Sequence, residues 1–174
     1  DSHRRQRQMC IRDRLNAALE TGLPVWVGLS CCDSKFDNSV IGRNFRAEKE
    51  KSLIYDENKY KDQPKYLPED KIILLEDIIK SLTSLGGDVY GIMHTWFQDS
   101  IGGLKILKNN WKGPIMFYPE IHKFDTNTHK AIITMTEEEF SNSILELIDD
   151  QIQIVGGCCG AVSYTHLTLP TMAI

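Results

Sequence analysis

The chain has 174 residues, 41% of them hydrophobic and 25% charged, with 20 Lys and Arg against 24 Asp and Glu, a formal net charge of −4. That length suits one domain, and an acidic balance without a basic cluster in the body of the chain argues against nucleic acid as a partner. No apolar run approaches the length of a membrane span, so no membrane association is expected.

The first residues are basic, with Arg4, Arg5, Arg7, Arg12 and Arg14. Their origin is read together with the other end of the chain. One allowed set of codons for Val162 to Thr171 has a reverse complement that translates as Arg4 to Asp13. Chance does not produce ten such residues, and the DNA resembles a transposase adapter read in opposite directions at the two ends of an insert. Residues 1–14 and 161–174 are therefore expected to be adapter-derived and are kept out of fold reasoning. The excluded ends carry five arginines and two aspartates, so residues 15–160 hold 15 basic and 22 acidic residues, a net charge of −7. Four cysteines remain as two adjacent pairs, Cys31-Cys32 and Cys158-Cys159. Adjacent pairs are a poor disulfide framework. They suit a reducing cytoplasm and metal or thiol chemistry.

Pro24 to Leu29 is an apolar run after a turn and reads as a buried strand. Asp33 to Asp70 is polar, with interleaved aromatics. It reads as a long functional loop or partly ordered insertion whose charges form a solvated face. The spacing predicts a helix opening at Leu67 to Asp70, with Ile72, Leu75, Ile79 and Leu82 as its apolar stripe and Gly86-Gly87 beyond its end. Val89 to Met93 reads as a strand, with His94 just past it. A shorter helix follows with Ile101, Leu104 and Leu107 on one face, and then a strand, Ile115 to Tyr118. Pro119 to Lys130 reads as a loop and Ala131 to Met135 as a short extended segment. Thr136 with Glu139 three residues on is a capping box for a helix burying Phe140, Ile144, Leu147 and Ile148. Ile152 to Val155 is the last strand.

Four strands alternate with three helices, which demands parallel pairing with helical crossovers. Strands that are apolar throughout imply a sheet covered on both faces. An open doubly wound sheet and a piece of a (β/α)8 barrel both fit. No Gly-x-Gly-x-x-Gly follows a strand, so dinucleotide binding lacks support.

Ile154 to Gly160 frames two cysteines with three glycines at the end of a buried strand. Ordinary packing has no need of that arrangement, whereas a soft metal does. His94, Cys158 and Cys159 each follow a predicted parallel strand, at the strand ends where α/β folds gather ligands. One imidazole and two thiolates leave a fourth position of tetrahedral zinc open, the pattern of a catalytic rather than a structural site. An open zinc beside thiolates suits activation of a substrate thiol. The bland alternatives are two buried cysteines acting as small hydrophobes and a core histidine bonded to backbone.

The same segments resemble the homocysteine S-methyltransferase family over most of residues 21–160. Ile154-Val155-Gly156-Gly157-Cys158-Cys159-Gly160 is similar to its terminal zinc motif. Pro24 to Cys31 is similar to its fifth barrel strand. Gly91-Ile92-Met93-His94-Thr95 falls where the family has a Gly-Ile-Asn-Cys-Thr segment, and Phe117-Tyr118-Pro119-Glu120 resembles its Tyr-Pro-Asn segment. The resemblance implies strands five to eight of a (β/α)8 TIM barrel, so that residues 15–160 form a C-terminal half-barrel. It further implies a zinc ion as cofactor, held here by His94, Cys158 and Cys159, with no catalytic residue beyond these ligands. Homocysteine and a small methyl donor are the implied partners, and methionine is the product. Betaine, S-methylmethionine and S-adenosylmethionine all remain open as donor. Three departures stand out: His94 replaces a cysteine ligand, Met93 an asparagine, and Glu120 the asparagine after Tyr-Pro. The other function class is a non-catalytic metal-binding or thiol-redox protein using the same cysteines. Cys31 and Cys32 match no ligand position and read as a partly buried pair.

Overall fold

Apolar runs set off by turn residues become strands, and the three-and-four-spaced stripes between them become helices. A computed structural model of the chain describes residues 12–34, 37–43, 72–125 and 130–158. In chain order the elements are helix α1 (residues 12–19), strands β1 (Trp26–Leu29), β2 (Cys31–Asp33) and β3 (Val40–Gly42), and helix α2 (Leu75–Thr83). Strand β4 (Val89–Trp96), helix α3 (Phe97–Asn110), strands β5 (Ile115–Glu120), β6 (His122–Asp125) and β7 (Lys130–Ile133), helix α4 (Glu137–Leu147) and strand β8 (Ile152–Val155) follow.

Four strands form one sheet in the order β1-β4-β5-β8, and every pairing is parallel. Spatial order follows chain order, without the reversal that marks a doubly wound sheet. The register puts Val27, Leu29, Tyr90, Ile92, Ile115, Phe117, Ile152 and Val155 on one face. All eight join a single core cluster with Leu15, Leu75, Ile79, Leu82, Leu104, Leu107 and Ile144 of the helices. The helices therefore cover one face, as crossovers on the outside of a barrel do. Full burial of side chains the size of Phe117 or Ile92 contributes roughly 1.5–3 kcal/mol each. The opposite face carries Gly28, Gly91, Met93, Met116 and Tyr118, and Trp26 there is 55% exposed. Among the described residues the sheet is open, with β1 and β8 at its edges.

The capping box is present as expected: Glu139 N–H donates to the Thr136 hydroxyl, and Thr136 N–H donates to the Glu139 carboxylate at 2.8 Å. A cap of this kind contributes about 1 kcal/mol. Gly86 and Gly87 lie beyond α2 with φ of 127° and 114°, a region open to residues without a Cβ.

Other expectations need correction. Helix α2 begins at Leu75, after an extended Leu74, rather than at the Leu67–Asp70 segment; residues 44–71 lie outside the described residues. Helix α3 is longer than α2. Strand β4 runs through His94 to Trp96. The expected extended segment is present as β7, but the expected loop before it contains β6, which pairs with β7 as an antiparallel hairpin. The β6 run does not alternate in polarity, so only pairing reveals it. Ile148 lies beyond the last turn of α4, in extended backbone, and is exposed. Strands β2 and β3 form a second hairpin that starts the polar excursion.

Candidate metal centre

Three strand ends meet at one corner of the sheet. His94 lies in β4 where the β4–β5 register shifts between Met93 and Trp96. Its φ is 50°, the left-handed region that non-glycine residues rarely enter. Such a backbone costs of order 1–3 kcal/mol and is retained only where surrounding contacts hold it. One contact is visible: the Arg43 guanidinium donates to the His94 carbonyl. The kink breaks the strand's alternation and leaves the imidazole about half exposed at the sheet end, its side chain 53% accessible.

Glu120 ends β5 and is only 7% exposed. Its two oxygens face different partners. Oε2 lies 3.6 Å from Arg43 Nη1, and Oε1 lies 3.6 Å from His94 Nδ1. Arg43 comes from the residue after β3, and its main-chain N–H donates to Ser30 O at 2.9 Å.

Cys158 arrives by a continuation of the β5–β8 ladder. Gly156 N–H donates to Phe117 O and Cys158 N–H to Pro119 O, both at 3.1 Å. A Cβ at position 156 would stand 2.8 Å from Tyr118 Cδ1, so the Tyr118 ring lies close over the bare glycine. Cys158 Sγ then lies 2.9 Å from His94 Nδ1. One ligand atom each from His94, Glu120 and Cys158 falls within a mutual 4.8 Å.

Imidazole nitrogen, carboxylate oxygen and thiolate sulfur are all ordinary zinc donors. Tetrahedral ligands with zinc bond lengths stand about 3.5 Å apart. The spacings of 2.9 and 3.6 Å are close to that, so the donor set fits the ion with small side-chain shifts. The structure thus brings His94 and Cys158 together as expected; Cys159 lies outside the described residues. Glu120 joins them without having been assigned a role from the sequence. The available signal was its position, since it follows a parallel strand as His94 and Cys158 do. Arg43 carried no such signal, because it sits in the polar excursion read as a solvated face.

The other cysteine pair is elsewhere and is more deeply buried than expected. Cys31 and Cys32 are 1% and 0% exposed. Cys31 N–H donates to the Thr95 hydroxyl at 3.0 Å, and its thiol faces Asp99 O. Burial pushes the Cys31 thiol up to about 12, so it stays protonated at neutral pH. The expected result is that iodoacetamide at pH 7 labels Cys158 in the folded protein and leaves Cys31 untouched until denaturant is added. Peptide mass spectrometry checks this, and equal labelling of Cys31 and Cys158 under native conditions would contradict it.

A model of the homocysteine S-methyltransferase family matches residues 74–166. The match takes in β4, β5 and β8, and with them His94, Glu120 and Cys158. It leaves out β1 and Arg43, which lie within the wider resemblance over residues 21–160, and it runs six residues past Gly160. No curated protein and no solved structure gives a match.

Proposed function

This chain belongs to the homocysteine S-methyltransferase family, and on that premise we propose that it supplies the zinc-binding half of an enzyme that methylates the thiol of homocysteine. The parallel sheet, in chain order with its helices on one face, supports a reading of β1, β4, β5 and β8 as strands five to eight of a (β/α)8 barrel. Residues 15–160 form that half in this proposal, flanked by adapter-derived ends. Helix α1 runs without a break from residue 12 across that boundary, and Leu15 is its first buried residue. Met9, Ile11, Leu167 and Leu169, whose burial in the core would argue against adapter-derived ends, lie outside the described residues.

His94, Cys158 and Cys159 would hold the metal. When bound, zinc lowers the pKa of a thiol that reaches it, so that a thiolate exists at neutral pH. The chain's own part is to fix the donors at the strand ends, from positions 64 residues apart in the case of His94 and Cys158. The half-exposed His94 side chain leaves that corner open to a small substrate. In the reaction the homocysteine thiol loses its proton, its sulfur forms a bond to the donor's methyl carbon, and the bond from that carbon to the donor breaks. The substitution of an imidazole for a thiolate leaves one negative charge fewer at the site. No helix of the described residues is long and apolar enough to cross a membrane.

The observation that carries the proposal is the 2.9 Å approach of Cys158 Sγ to His94 Nδ1. Its test is the zinc content of the purified full-length protein beside its His94→Ala variant, with homocysteine methylation assayed on both. His94→Ala should lose most of the zinc, and His94→Cys should keep it or bind more tightly. Equal zinc in the parent and His94→Ala would remove His94 from the site.

A further inference from the structure

We propose that Glu120 is itself a ligand of the metal, filling beside His94 and the cysteines the fourth place until a substrate thiol displaces it, with Arg43 as the residue that positions the oxygen. The inference rests on the zinc reading above.

A carboxylate as buried as Glu120 is costly unless it is paired. Its contacts with Arg43 and His94 are both 3.6 Å, ion-pair spacings longer than a hydrogen bond. Oε2 is taken by the arginine. Oε1 faces the imidazole nitrogen that also meets Cys158 Sγ, so it faces the space shared by the other two donors. A cation there would part Cys158 Sγ and His94 Nδ1, now 2.9 Å apart, and leave His94 and Glu120 near their present 3.6 Å.

Arg43 holds two parts of this arrangement with one side chain. It donates to the His94 carbonyl, supporting the left-handed turn, and it faces Glu120 Oε2. Both contacts are made by one nitrogen, Nη1, so Arg43 holds the two parts through a single atom. Its own backbone is fixed through Ser30 and its neighbour Gly42 through Ile73 O. A hard carboxylate in the set should also lower the preference for soft ions such as cadmium over zinc.

The test uses the full-length protein, zinc itself and X-ray absorption at the zinc edge. Glu120→Gln should lower zinc affinity by about 100-fold or more, beyond the ~10–100-fold typical of residues that merely support a ligand. Glu120→Cys should restore affinity and raise the number of sulfur neighbours of zinc by one. Arg43→Gln should weaken zinc in the parent but not in the Glu120→Cys background, because its effect passes through the carboxylate. Zinc bound by the parent with an unchanged sulfur count in Glu120→Cys overturns the ligand assignment alone. The same loss from Arg43→Gln in both backgrounds overturns the positioning role. A parent that binds no zinc at all overturns the zinc reading on which this inference stands.

Discussion

On the proposed zinc reading, Cys158→Ala is expected to remove zinc from the full-length protein and to abolish homocysteine methylation in the same step. Cys158 is the one thiolate that the described structure places against His94 and Glu120, and its position is set by main-chain bonds rather than by a flexible side chain. Removing it deletes a donor without moving the strands, since an alanine keeps the N–H bond to Pro119 O. Loss of a direct donor should exceed the ~10–100-fold that supporting residues cost. Cys159→Ala should behave the same way if both cysteines hold the ion. Metal affinity of the parent should fall as pH drops, because protons compete for thiolate and imidazole alike. Zinc stoichiometry by elemental analysis and methionine formation are measured on the same samples. Full zinc with lost activity would mean that Cys158 acts on substrate rather than on the metal.

Gly91→Ala should destabilise the fold by about 3 kcal/mol, at the upper end of overpacking costs, while Gly28→Ala should cost less than about 1.5 kcal/mol. Both glycines lie on the face of the sheet away from the helices and pair with each other in register. Their surroundings differ. A Cβ on Gly91 would collide with the Met116 carbonyl oxygen as well as its Cγ, and would stand 2.9 Å from the carbonyl carbon. Relief requires β4 to part from β5, the two strands that carry His94 and Glu120. A Cβ on Gly28 would instead meet the sulfur end of Met93 and, at 3.3 Å, Met116 Cε. Those are the ends of flexible side chains that can turn away. Urea melts of both variants decide the matter, and a Gly28→Ala cost equal to or above that of Gly91→Ala would refute the backbone argument.

The sequence by itself determined the elements whose cause is local. Alternating apolar strands and stripes at Leu75, Ile79 and Leu82 placed a parallel sheet under helices, and Thr136 with Glu139 marked the start of α4 to the residue. The double cysteine between glycines at a strand end pointed to the corner where His94, Glu120 and Cys158 meet. Tertiary structure alone decided the rest. Strand β6 has no alternation to read and exists through its pairing with β7. The left-handed backbone of His94 is stabilised by an arginine 51 residues earlier. Glu120 looked like a plain replacement for an asparagine until Arg43 and His94 were seen on either side of its carboxylate. Periodicity records what a residue does to its neighbours in the chain. An ion pair between a hairpin end and a strand end leaves no period, so only the fold that closes that distance can show it.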